Sequence, residues 1–262
     1  MTLDQWRRGL GTLLSFAAFG VGGLVIGLAV APLLRLGVRH PQQRQRVARQ
    51  LIQQVFRAFI ALMKGLGVLD YRLQGSERLN RGGHLIVANH PSLIDVVFLL
   101  AYTPNADCIV KGRLATNPFT RGPIHVAGYI TNRDPEALLE AARQSLAQGN
   151  SLILFPEGTR TTPGRPIKFR RGGANIALRT SSPITPVLIQ CSPTTLTKGE
   201  PWYHIPPRKV QMDLRVLDDL PTERASHLPT SQQARHLTRE LSDYFNRELE
   251  RIHDEPKRRA SA

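Results

Sequence analysis

"HLIVANHPSLIDVVFLLAY" (84–102) carries the reading that decides the fold. The run 84–88 is apolar and of strand length, and Pro91 sits where proline favours the first position of a helix. This predicts a strand that ends at His90 and a helix that runs on through 92–102, with His90 at the cap. His90 and Asp95 are five positions apart. Within one regular helix that spacing turns the second side chain ~140° past a full turn, so the two would face apart. They meet only if His90 stands outside the helix and Asp95 comes from its second turn. A carboxylate on one imidazole nitrogen fixes the tautomer and leaves the other nitrogen as a base. Taken alone, the pair also fits a capping histidine beside an unrelated helical aspartate.

Working outward, the same alternation recurs. Strands are predicted at 84–88, 107–110, 124–130, 151–155, 184–190 and 210–216. Asp134-Pro135-Glu136 opens a helix with a cap and a first-turn proline, and Gly149 closes it. Further helices are predicted over 172–181 and 231–252. Strands alternating with helices imply an α/β domain, with a mostly parallel sheet flanked by helices. The expected organisation is a hydrophobic membrane-associated helix (1–40), a basic amphipathic helix (41–70), the α/β domain (71–220), and a C-terminal helix and tail (221–262).

The stretch 9–34 carries no charge. At about 1.5 Å per residue it is long enough for a hydrocarbon core of ~30 Å. It exceeds the usual apolar region of a signal peptide, although "LAVAPLL" (28–34) also fits cleavage after Ala31. A helix that enters one leaflet without crossing fits the composition as well. Arg35, Arg39, Arg44, Arg46 and Arg49 follow it, which places the remainder on the cytoplasmic face of the membrane. Gly23 and Gly27 form a GxxxG, a composition common in membrane helices and no sign of a dimer. Residues 44–67 show three-to-four apolar spacing, and such a helix either packs on the domain or lies on anionic headgroups. The formal net charge is +15, from 35 Lys+Arg against 20 Asp+Glu. Such an excess seeks polyanions. The cations are spread along the chain without an aromatic stacking platform, so no specific nucleic acid is expected. Cys108 and Cys191 form no metal-ligand spacing, and no metal site is expected.

"LILFPEGTR" (152–160) is a second cluster. A buried strand stops at Pro156, Gly158 allows a sharp turn, and Glu157 and Arg160 stand at a strand end. Alone, it reads equally as a polar turn with a surface ion pair. Together, "NHPSLID" (89–95), "GYITNRD" (128–134), "FPEGTR" (155–160) and "ITPVLI" (184–189) resemble, in order, the four sequence blocks of the glycerophospholipid acyltransferase family. Its best-known members are the 1-acylglycerol-3-phosphate acyltransferases. The resemblance covers roughly residues 70–220. It implies His90 and Asp95 as the catalytic pair, and Lys111, Arg133, Glu157, Gly158, Thr159 and Arg160 as the substrate-binding set. Lys111, Arg133 and Arg160 would hold an acceptor phosphate, while Glu157 orients Arg160 or the acceptor. Ser92 is expected to cap a helix rather than act as a nucleophile. "KFRRGG" (168–173) is either a patch for the phosphates of the thioester carrier or a solvated loop.

The implied activity is a membrane-bound O-acyl transfer. The donor is acyl-CoA or an acyl carrier protein, the acceptor a lysophosphatidic-acid-like lipid, and the product phosphatidic acid. No cofactor is implied. Tyr129 and Thr131-Asn132 depart from the second block, which leaves open a lyso-ornithine lipid, another lysophospholipid or a polyene lipid as acceptor. A non-catalytic basic protein of membranes or nucleic acid does not account for the His–Asp pair beside "FPEGTR".

Overall fold

In the computed structural model, residues 2–132, 134–222 and 229–260 are described. The chain opens with helix α1 (Leu3–Val25), which passes through a π-helical segment (Ile26–Val30) into α2 (Ala31–Gly37). Helix α3 (Pro41–Gly65) follows. The α/β part then runs β1 (Leu69–Gln74), β2 (Leu85–Ala88), α4 (Asp95–Tyr102), β3 (Asp107–Val110), α5 (Arg121–Ala127) and β4 (Ile130–Thr131). It continues with α6 (Pro135–Ala147), β5 (Leu152–Leu154), α7 (Arg171–Thr180), β6 (Ile184–Ser192), β7 (Val210–Val216) and α8 (Thr230–Ala260). The seven strands form one sheet in the order β1-β7-β6-β2-β5-β3-β4. All neighbours are parallel except β6 and β7. The mostly parallel sheet flanked by helices is the architecture that the alternating pattern implies.

Strand alternation divides the core in two. Ile86, Ala88 and Ile153 point into a cluster with α3 and α4, including Ile60, Phe98 and Leu99. Leu85, Val87, Leu152 and Leu154 point the other way, to α6, α7 and α8, including Ala142, Ile176 and Phe245. The central strand β2 is buried on both faces, so it reads as a continuous apolar run.

Three sequence expectations need correction. The run 124–130 is not a strand. Its first residues belong to α5, which ends at Gly128 in the left-handed region (φ 68°), and only Ile130–Thr131 pairs with β3. A short apolar run does not distinguish a buried strand from a buried helix. The helix expected from Pro91 begins instead at Asp95, after a turn over 91–94. Residues 69–74, which the strand predictions passed over, form β1 and pair in parallel with β7. The cap at Asp134 is as expected: its side chain accepts from the N–H groups of Glu136 and Ala137.

The segment Leu3–Gly37 is long and apolar enough to cross a membrane. One stripe of it packs on the α/β domain along most of its length. Near its start, Arg8 is 1% exposed and donates to the carbonyls of Pro206 (2.7 Å), Pro207 (3.1 Å) and Arg208 (3.2 Å). Further on, a Cβ on Gly23 would strike the carbonyl oxygen of Phe119, and one on Gly27 would lie 3.2 Å from the Cα of Gly122. The GxxxG pair thus seats this helix against α5. On the outer face Leu3, Trp6, Leu10, Leu28 and Leu36 are exposed.

Candidate active site

Strand β2 delivers Asn89 and His90 at its carboxyl end, between β5 and β6. Asn89 clamps the edge of β6, donating from Nδ2 to the Ile189 carbonyl and accepting the Ile189 N–H, both at 2.8 Å. This fixes the exit direction of the chain into His90. The turn over 91–94 then brings Asp95 back. One oxygen, Oδ2, accepts from His90 Nδ1 (2.9 Å) and from the Ser92 N–H (2.7 Å). The pair expected from the sequence therefore exists, but Asp95 lies in the first helical turn, not the second. Ser92 contributes its backbone N–H and not a hydroxyl cap.

Asp95 is fully buried. Burial pushes its carboxyl up, while the His90 hydrogen bond, the Ser92 N–H and the Arg160 charge act in the opposite direction. When Asp95 is ionised its carboxylate only accepts, which places a proton on His90 Nδ1 and leaves Nε2 as the nitrogen that can take one. The His90 ring stacks on Phe155, centroids 4.3 Å apart, and its side chain keeps 18% exposure.

The loop after β5 holds the backbone of His90 from the other side. The His90 N–H is shared between Glu157 Oε1 and Thr161 Oγ1, each at 3.0 Å. The Thr161 N–H donates to the His90 carbonyl at 2.7 Å. Glu157 therefore grips His90 and Thr161, and no hydrogen bond joins it to Arg160. Gly158 is in the left-handed region (φ 67°), as its turn requires. Thr159 is half-buried beside it. Arg160 Nη1 donates to the Leu196 carbonyl at 2.6 Å.

Lys111 follows β3. Partial burial pulls its ammonium pKa down, and the charges of Arg113, Arg160, Lys198 and Arg170 add to that effect. These cations therefore converge on one region at the carboxyl ends of the strands, where open α/β sheets place their ligands. Arg133 lies outside the described residues. Asn89, Phe155, Thr161, Arg170 and Lys198 belong to the site or its frame, and no sequence pattern singles them out individually. Thr161 directly follows "FPEGTR", and Arg170 lies in the "KFRRGG" patch, so both had a positional signal.

Residues 70–190 match the family model described as Acyltransferase. Over these residues the chain is similar to that family. It is 36% identical over 115 residues to the 1-acyl-sn-glycerol-3-phosphate acyltransferase of Helicobacter pylori, covering 41% of this chain and 48% of that protein. It is 28% identical over 181 residues to the protein of the same name in Pseudomonas aeruginosa, covering 67% and 66%. The chain spans about half the length of the first curated relatives it matches. The crystal structure of the 1-acyl-sn-glycerophosphate acyltransferase PlsC from Thermotoga maritima superposes with a TM-score of 0.65 at 20% identity. That match covers 94% of this chain and 99% of the other, and establishes a shared fold.

Within the α/β domain, Glu157 offers a test by pH. It is 9% exposed, and burial pushes its carboxyl above the ordinary value of 4.5, against the hydrogen bonds from Thr161 and the His90 N–H. The folded state then holds this proton more tightly than the unfolded chain. Its stabilising contribution is complete below the ordinary value and is lost as pH rises through the raised one. Glu157→Gln removes that titration. The Tm of the variant relative to the parent should rise between acid and neutral pH. Parallel Tm profiles would show that Glu157 ionises as it does in the unfolded chain.

Proposed function

We propose that this chain transfers a fatty acyl group from an acyl thioester to the free hydroxyl of a lysophosphatidic-acid-like acceptor, giving phosphatidic acid. One observation carries the reading: an imidazole braced by a buried carboxylate, with Lys111 and Arg160 in the same group of charges. His90 Nε2 takes the acceptor hydroxyl proton as that oxygen attacks the thioester carbonyl carbon. The C–S bond then breaks, and the leaving thiolate takes the proton from the imidazolium. The ester and a free thiol result. Asp95 holds the ring and stabilises its charged form. Lys111 and Arg160, with Arg133 by resemblance, hold the acceptor phosphate; the arginine fork suits two phosphate oxygens.

An apolar cavity of about 300 Å³ between α1, α3, α4 and α5 suits the acyl chain. Its lining includes Phe19, Phe56, Phe59 and Phe119, with Val97 two residues beyond Asp95 and Val110 beside Lys111. The apolar outer face of α1 supports attachment to a membrane. Both ends of α1–α2 lie on one domain, through Arg8 at one and Ala31 at the other. This favours a helix sunk into a single leaflet, on the cytoplasmic face, over one that crosses.

The test is an assay of purified full-length chain in vesicles, with acyl-CoA and acyl carrier protein as donors and a panel of lyso-lipids, read by mass. Phosphatidic acid from lysophosphatidic acid is the expected product. Turnover restricted to acceptors without a phosphate would sink the phosphate roles of Lys111 and Arg160. In the same vesicles, single-cysteine labels at positions 3 and 37 should react with one impermeant reagent from the same side.

A further inference from the structure

A second basic surface lies beyond the reacting groups. Lys168, Arg170 and Arg171 face Arg235 and Arg239 of α8 across an open cavity of about 520 Å³. Among the described residues, none of these five takes part in an ion pair. The walls are pinned to each other. Asn246 Oδ1 accepts the Ile167 N–H at 2.8 Å, and its Nδ2 donates to the Ile167 carbonyl at 3.1 Å. Ser242 Oγ accepts the Phe169 N–H at 3.1 Å. Five cations held around one fixed concavity repel each other, and an anion from outside relieves that repulsion.

The inner edge of this cavity is the loop that grips His90. The Arg170 N–H donates to the Pro156 carbonyl at 2.8 Å, and a Cβ on Gly158 would approach Arg170 Nε at 3.1 Å. The sheet face matters too. Helices α7 and α8 pack on the core cluster opposite to that of α3 and α4, whereas α1 and the apolar cavity lie on the α3–α4 side. Anionic headgroups around α1 would therefore meet the other side of the domain. A donor with its chain in the apolar cavity and its thioester at His90 leaves its remaining length to cross the strand ends toward the five cations.

We infer that the cavity between residues 168–171 and α8 binds the phosphorylated adenosine end of acyl-CoA. This rests on the acyl-transfer reading and names its donor. An acyl carrier protein would lay a broad acidic surface against the chain. A concavity of this volume falls instead in the range of small-molecule sites, about 300–1,000 Å³.

The probe is adenosine 3′,5′-bisphosphate, titrated calorimetrically into the full chain in detergent micelles. The parent should bind it saturably and more weakly as salt rises. Arg235→Glu with Arg239→Glu should weaken that binding about tenfold or more, as loss of charge-assisted contacts implies. The KM for acyl-CoA should rise by a similar factor with kcat retained. Arg235→Ala with Arg239→Ala guards against misfolding and should shift both in the same direction by less.

Bisphosphate affinity unchanged by charge reversal overturns the proposal. So does a variant that loses transfer only from acyl carrier protein. Transfer from acyl-CoA at an unmoved KM overturns it while leaving the acyl-transfer reading intact. If no thioester is turned over but bisphosphate binding is lost on charge reversal, the nucleotide site stands and the acyl-transfer reading falls.

Discussion

Replacing His90 by alanine should lower kcat for acyl transfer by about 10²–10⁴-fold, the usual contribution of a positioned general base. On the proposed mechanism KM for both substrates should change little, because the imidazole would act on the proton in flight and not on the bound phosphate. Asp95→Asn tests the same unit from its other end. An amide at 95 can donate to Nδ1, which moves the ring proton to Nε2 and removes the base. A comparably large loss of kcat is expected, with the ring still in place. Folding has to be followed separately. His90→Ala leaves Asp95 buried with the Ser92 N–H but no imidazole, so circular dichroism and Tm accompany the kinetics. The parent should also lose activity as pH falls, because the proposed chemistry needs Asp95 ionised and burial makes that harder. Parental turnover in His90→Ala would remove this histidine from the reaction.

The second large effect is on stability. Arg49 of α3 is 5% exposed and Asp107 of β3 is 3% exposed. Arg49 Nη2 meets Asp107 Oδ2 at 2.9 Å, and Arg49 Nε donates to the Ala127 carbonyl at 2.9 Å. Ser145 Oγ also donates to Asp107 Oδ2 at 2.8 Å. One buried group thus ties the amphipathic helix to the sheet, to α5 and to α6. Arg49→Ala leaves a buried carboxylate without its counter-charge, and destabilisation of about 3–5 kcal/mol is expected. Burial already pushes the Asp107 carboxyl up, and Arg49 is the leading influence in the other direction. In the variant the carboxyl rises further. The deficit should therefore be largest at neutral pH and shrink as pH falls and Asp107 takes a proton. Arg46→Ala, on the exposed side of the same helix, serves as the control and should stay within about 0.5 kcal/mol of the parent. Denaturant unfolding in detergent measures both; equal small losses for the two variants would dismiss the pair as a stabilising unit.

Arg49 also shows where the sequence was opaque. Read along the chain, it belongs to the run of arginines that follows the apolar helix, equivalent to Arg44 and Arg46. In the fold it points inward. Arg8 behaves the same way: it reads as a flank of a membrane segment, yet it is buried against the carbonyls of 206–208. No local pattern distinguishes an arginine that faces headgroups from one whose partner lies dozens of residues away. The same blindness applies to Glu157. Its neighbour in sequence is Arg160, but its hydrogen bonds go to the His90 N–H and to Thr161. The short run 124–130 failed for a different reason, since burial on several sides erases the period that separates helix from strand.

What the sequence determined by itself is local and periodic. Continuous apolar runs alternating with capped helices require a sheet covered on both faces, and the proline after His90 forces the chain to change direction there. The apolar stretch 9–34 follows from composition alone. Tertiary structure decided which polar groups meet: His90 with the loop from β5, Asp107 with α3, and five cations around one concavity beside α8. The physical reason is that hydrogen bonds and charges act over a few ångströms in space. Strand order, which sets those distances, leaves no mark within any single segment of the chain.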